Sequence, residues 1–104
     1  MAQFTAYAND NAASRKRVPY LLDLQSDLID GLGSRLVAPL IRTDRAMPII
    51  DRLMPTLVVD GEPVVMDTAQ IASVPQRVIG KQVDDLSADR AVILAALDLL
   101  ISGI

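Results

Sequence analysis

The chain has 104 residues, a mass of 11.2 kDa and 51% apolar residues, with only Phe4, Tyr7 and Tyr20 aromatic; that is one domain's worth, able to bury a core without staples. Cysteine and histidine are absent, which excludes disulfides, thiol catalysis and any Ser-His-Asp or Cys-His site, and removes the commonest zinc ligand. Ten basic against 13 acidic residues leave a net charge of −3, without the basic excess on which nucleic-acid affinity rests.

Up to about Val83 the apolar runs are short and broken by turn residues, the pattern of strands. Gln3 to Tyr7 is the first expected strand. Asn9 to Arg17 is polar, contains Arg15-Lys16-Arg17 and reads as a mobile loop. In Val18 to Gln25, Tyr20, Leu22 and Leu24 alternate with Leu21, Asp23 and Gln25, as in an antiparallel sheet with one buried face. A connection from Ser26 to Ser34 leads to a strand over Arg35 to Ile41, where Pro39 argues for an edge or a bulge. Arg42 to Met54, interrupted by Pro48, is expected to be irregular or a short helical turn.

Thr56 to Val59 and Pro63 to Met66 flank Asp60-Gly61-Glu62, a hairpin signal. Gln70 to Val74 and Arg77 to Val83 read as extended, separated near Pro75 and Gly80. The last element is a helix. Ser87 is its expected N-cap, Asp89 lies in its first turn, and only Asp98 is polar between Ala91 and Ile101. Gly103 ends it. A helix apolar nearly all round needs cover on two sides, one from the sheet and one from a second subunit or partner. The fold class is α+β, mainly β, with a curled, barrel-like sheet.

The chemistry visible in these residues is sparse. Asp23, Asp27 and Asp30 form the densest carboxylate cluster, but their spacing matches no calcium loop and Asp is a common turn residue. Gly31-x-Gly33 lacks the rest of a dinucleotide fingerprint. No metal, cofactor or catalytic residue is expected. Leu28, Ile29 and Leu32 are apolar within a connection: either they plug the core or they form an exposed binding loop. No apolar run reaches the roughly 20 residues that span a bilayer, and no leader pattern opens the chain, so a cytoplasmic location without membrane contact is expected.

Three segments then carry a resemblance: LDLQSDLIDGLGSRLVAPL over Leu22 to Leu40, IASVPQRVIGKQVDDLS over Ile71 to Ser87, and the terminal Gly103-Ile104 after an apolar helix. Gln3-Phe4-x-x-Tyr7 fits as well. Together they resemble the CcdB family of bacterial toxins across nearly the whole chain, 1–104, as one toxin domain. The resemblance implies an SH3-like antiparallel β-barrel or sheet with a C-terminal α-helix, assembled as a homodimer. It implies a type II toxin that binds the DNA gyrase A subunit and traps gyrase on cleaved DNA, with no enzymatic activity of its own. It further implies neutralisation by a CcdA-like antitoxin whose disordered arm wraps the toxin, and DNA contact only through gyrase or antitoxin, including in regulation of transcription.

Carried over by position, the gyrase contact comprises Leu28, Ile29, Asp98, Ile101, Ser102, Gly103 and Ile104. The antitoxin contact comprises Tyr7, Arg15, Lys16 and Arg17. The best-known members carry a Trp directly before the terminal Gly-Ile, where this chain has Ser102; an aromatic anchor worth about 2 kcal/mol or more when buried is therefore replaced. Two other readings share the resemblance. MazF-type toxins have the same fold and cleave RNA, against which the acidic balance and absent histidine stand. A non-toxic relative would retain only antitoxin binding and operon regulation.

Overall fold

The computed structural model describes residues 1–29, 31–43 and 49–103. Among them the strands are β1 (Thr5–Asn9), β2 (Tyr20–Asp23), β3 (Ser34–Ile41), β4 (Thr56–Val59), β5 (Glu62–Met66), β6 (Ala72–Pro75) and β7 (Ile79–Asp85), followed by one α-helix, α1 (Arg90–Ser102). The strands pair antiparallel in the order β4-β5-β3-β2-β1-β7, with β6 also on β3. The result is mainly β: a curled antiparallel half-barrel with α1 against it.

The period-two alternation of the strands decides which side chains form the core. Ala6, Leu22 and Ala38 lie in register across β1, β2 and β3, a small-large-small row. Tyr20, Leu40 and Met66 form the next row across β2, β3 and β5. Leu57 and Val59 of β4 and Val64 of β5 join this face, with Ile93 and Ala96 of α1 and with Leu86 just before it. Ile93 is fully buried; enclosing a side chain of that size stabilises the fold by about 1.5–3 kcal/mol. The alternate residues Leu21, Val37, Ile41 and Val65 are buried too. The sheet is therefore covered on both faces over β2 and β3, where alternation alone suggested one.

Several elements differ from the expectations. The first strand starts at Thr5, not Gln3, because Phe4 takes the left-handed region (φ 64°). There its N–H donates to the Asp23 carbonyl at 2.6 Å and its carbonyl accepts from Leu86 at 2.8 Å. Asn9 closes β1, and the turns that follow it to Arg17 are held by hydrogen bonds: Arg15 N–H donates to Asn11 O at 3.0 Å, Val18 N–H to Ser14 O at 2.8 Å, and the Asn9 amide to Ser14 Oγ at 3.0 Å and Val18 O at 2.9 Å. β3 is central rather than an edge. Its first half pairs with β6 and its end with β5. Pro39 falls at the handover, where the missing N–H breaks neither ladder and its carbonyl accepts from Asp67 N–H at 2.9 Å.

Asp60 and Gly61 both have positive φ, 50° and 80°, so the expected hairpin closes on a two-residue turn of the type that matches strand twist. Gly80 lies inside β7, not in a break between strands. A Cβ there would come within 2.6 Å of Asp10 Oδ1 and 3.0 Å of Ala8 O. Glycine lets β7 close on β1 where the register shifts. In the Arg42–Met54 stretch, Met54 N–H donates to Ile50 O at 2.7 Å, the expected short helical turn; Pro48 lies outside the described residues.

Ser87 does not cap the helix with its side chain. It opens a 3₁₀ turn, Ser87–Asp89, that leads into α1, and its N–H donates to Asp85 Oδ1 at 2.9 Å. Asp85, two residues earlier, supplies the acceptor. Gly103 ends α1 as expected, left-handed at φ 71° with its N–H on Leu99 O at 3.0 Å.

Candidate functional site

The loop between β2 and β3 is wound around one buried ion pair. Asp23 and Arg35 lie on adjacent strands, on the face opposite the main core, and are 0% and 1% exposed. Arg35 Nη2 sits 2.6 Å from Asp23 Oδ2, and Nε donates to Oδ1 at 3.3 Å. The same guanidinium reaches the loop backbone, with Nη1 donating to Ile29 O at 3.2 Å and Nη2 to Gln25 O at 3.3 Å. The planar fork of arginine allows this set of donors to act together.

Gln25 closes the arrangement. Its N–H donates to Asp23 Oδ1 at 3.0 Å, its side-chain amide donates to Ile29 O at 2.9 Å, and its Oε1 accepts from Leu36 N–H at 3.0 Å. The N-terminus is tied in by Gln3 N–H on Asp27 Oδ1 at 2.7 Å and by Gln3 Nε2 on Leu24 O at 3.1 Å. Asp23 and Asp27 thus serve different partners and do not converge as a cluster; Asp30 lies outside the described residues.

This scaffold holds apolar side chains out in water. Leu28 is 95% exposed, with Leu32 and Ile29 also exposed. Of the two readings for these residues, the exposed loop is the one observed. The end of α1 is the second such place: Ile101 is 78% exposed. Asp98, Ser102 and Gly103 are exposed beside it, and Ser102 Oγ donates to Asp98 O at 2.7 Å. The loop is fixed by the sheet and the chain start, the helix end by its own backbone. Ile104 lies outside the described residues. Farther along α1, Val92 and Leu100 are exposed as well, so the sheet covers only one side of this apolar helix.

A different surface carries the cations. Arg15, Lys16 and Arg17 are exposed on the turns after β1. Arg42 Nη1 donates to Lys16 O at 2.7 Å, and Arg42 Nε to Glu62 Oε2 at 2.8 Å; Tyr20 donates its hydroxyl to Glu62 Oε1 at 3.0 Å. The Arg42 and Tyr20 bonds hold the Glu62 carboxyl below the usual glutamate range. Burial and the Glu62 bond push the Tyr20 hydroxyl up. This clasp joins the cationic turns to the β4–β5 hairpin, a connection that nothing in the local sequence announced.

Beside the turns lies an open cleft of about 540 Å³ lined by residues including Ser14, Arg17, Pro39, Ile41, Asp67 and Gln70. Tyr7 is not beside the cations. It is buried within β1, 7% exposed, and its hydroxyl accepts from Ala2 N–H at 2.9 Å.

The profile of the CcdB protein family matches residues 3–103, nearly the full length of the sequence. The chain belongs to the CcdB family. Membership implies the toxin of a toxin–antitoxin system, and the curled sheet with one C-terminal helix is consistent with the CcdB fold. Among the described residues, the loop at Leu28 and the end of α1 expose apolar side chains, the turns after β1 expose cations, and no group of three acidic side chains is placed to hold a metal. No helix among them is long and apolar enough to cross a membrane.

Proposed function

We propose that this chain acts as a cytoplasmic homodimer that docks on the gyrase A subunit and holds gyrase on cleaved DNA, so that religation fails and double-strand breaks accumulate. It acts by binding alone; the nucleophile that cuts DNA belongs to gyrase. A ligand that prefers the cleaved, open form over the resealed form shifts the population toward the former in proportion to that preference.

The observation that carries this reading is the exposure of Leu28 and Ile101, on the two segments assigned to target contact. Each such side chain contributes about 1.5–3 kcal/mol when a partner encloses it. With Ser102 in place of an aromatic anchor, that contribution falls to Leu28, Ile29 and Ile101, with Asp98 as the charged neighbour and Gly103 and Ile104 completing the end. The exposed apolar side of α1 supports the second subunit.

The cationic turns and the cleft beside Arg17 suit a disordered antitoxin arm carrying acidic residues, which orders on binding. Tyr7, buried in β1 with its hydroxyl on Ala2 N–H, is not part of that surface. Growth after induced expression, with and without deletion of Ser102-Gly103-Ile104, tests the reading. Full-length protein is expected to arrest growth and the deletion to relieve it while the dimer stays folded. A truncated chain that still kills would place the contact elsewhere.

A further inference from the structure

We propose that Arg35 is the positioning residue of the target-docking loop: from a buried seat on β3 it holds the Ile29 and Gln25 carbonyls, and so presents Leu28 and Ile29 to the partner. The inference rests on the docking role proposed for these two residues. It goes beyond it by assigning the loop's shape to a side chain that never meets the target.

The geometry is specific. The Ile29 carbonyl, at the turn of the loop, accepts from both Arg35 Nη1 and Gln25 Nε2, at 3.2 and 2.9 Å. Those are the two lone pairs a carbonyl offers. Gln25 is itself fixed by Asp23 Oδ1 and by Leu36 N–H, and Asp23 orients the guanidinium through two bonds. Leu28 makes no comparable claim on the fold: its side chain is almost wholly in water. The loop has further bonds, Leu28 N–H to Ser26 Oγ at 3.2 Å, Ile29 N–H to Ser26 O at 3.0 Å and Gln3 N–H to Asp27 Oδ1 at 2.7 Å, but those of Leu28 and Ile29 are local to the turn, whereas Arg35 ties the turn to β3; without that tie, ordering the loop on binding would cost affinity.

A purely structural ion pair would behave differently. Buried pairs replaced together by apolar residues of similar size usually leave a folded protein, because no charge is orphaned. If Arg35 serves only the core, that exchange leaves docking intact.

The test compares wild type, the paired variant Asp23→Leu/Arg35→Met, and Arg35→Lys. Lysine keeps the charge beside Asp23 but loses the planar fork that reaches two carbonyls at once. The measurements are thermal melting, amide hydrogen exchange by residue, and affinity for purified gyrase A subunit of the same source. The paired variant is expected to melt as a folded protein, with strand amides unchanged and the Leu28 and Ile29 amides exchanging at least roughly tenfold faster. Its gyrase A affinity is expected to fall roughly tenfold or more.

Arg35→Lys is expected to shift exchange and affinity in the same direction, and it decides the matter should the paired variant not fold. Loop exchange at the wild-type rate in a folded variant overturns the grip on the loop. A loosened loop with wild-type affinity overturns its role in docking. Wild-type protein that does not bind gyrase A overturns the docking reading itself, and the exchange data then judge Arg35's hold on the loop separately.

Discussion

Arg35 and Asp23 face each other across β2 and β3 as a two-point ion pair sealed from water, Nη2 to Oδ2 at 2.6 Å and Nε to Oδ1 at 3.3 Å. Among the described residues, every other acceptor of this guanidinium is a backbone carbonyl of the loop that follows β2. Removing one partner leaves the other charge buried without compensation. Asp23→Ala is therefore expected to lower stability by about 3–5 kcal/mol, read as a shift in the urea unfolding midpoint at neutral pH. A change below 1 kcal/mol would show that water reaches the vacated site and solvates Arg35.

The cationic turns give a prediction separable from stability. Arg15, Lys16 and Arg17 are all exposed, so reversing their charges together should leave the melting temperature nearly unchanged. Binding of a peptide carrying the cognate antitoxin's C-terminal arm should weaken, more strongly at low salt than at high. Affinity that stays constant would move the antitoxin contact off these turns.

Acid should loosen the clasp between β2 and the β4–β5 hairpin. Arg42, and then Tyr20, hold the Glu62 carboxyl below 4.5, the ordinary glutamate value. A depressed folded-state value contributes stability that is present above the unfolded value and is lost as pH falls through the folded one. Wild type should thus lose stability on acidification below pH 4.5 more steeply than Glu62→Gln. Parallel pH profiles would mean that the exposed Arg42–Glu62 bridge contributes nothing measurable, as many surface bridges do.

Much of this architecture was legible in the chain because its signals are local. The β4–β5 hairpin follows from Asp60-Gly61 between β-branched runs, and the end of α1 from Gly103 after an unbroken apolar segment. Relations between distant segments were not legible. Pro39 argued for an edge because a proline spoils a ladder, yet β3 changes partner at that residue and stays central. Gly80 resembled a break, yet it is the point where β7 closes on β1.

The candidate site divides in the same way. Leu28, Ile29 and Leu32, apolar within a connection, leave an exposed loop as one of two options. In the sequence Asp23 stands out only within a carboxylate cluster, because nothing in the spacing of Asp23 and Arg35 reveals that they meet across two strands. Only the alternation, which puts both on the same face of adjacent strands, held a hint.

The proposed poisoning of gyrase by binding alone can be observed directly. The most direct measurement is DNA cleavage with purified protein, gyrase of the same source, supercoiled plasmid and ATP, quenched with detergent. Linear DNA that depends on the protein, and that disappears when Ser102-Gly103-Ile104 is deleted, is the expected result. Plasmid that stays uncut, with a known gyrase poison active in parallel, would contradict it.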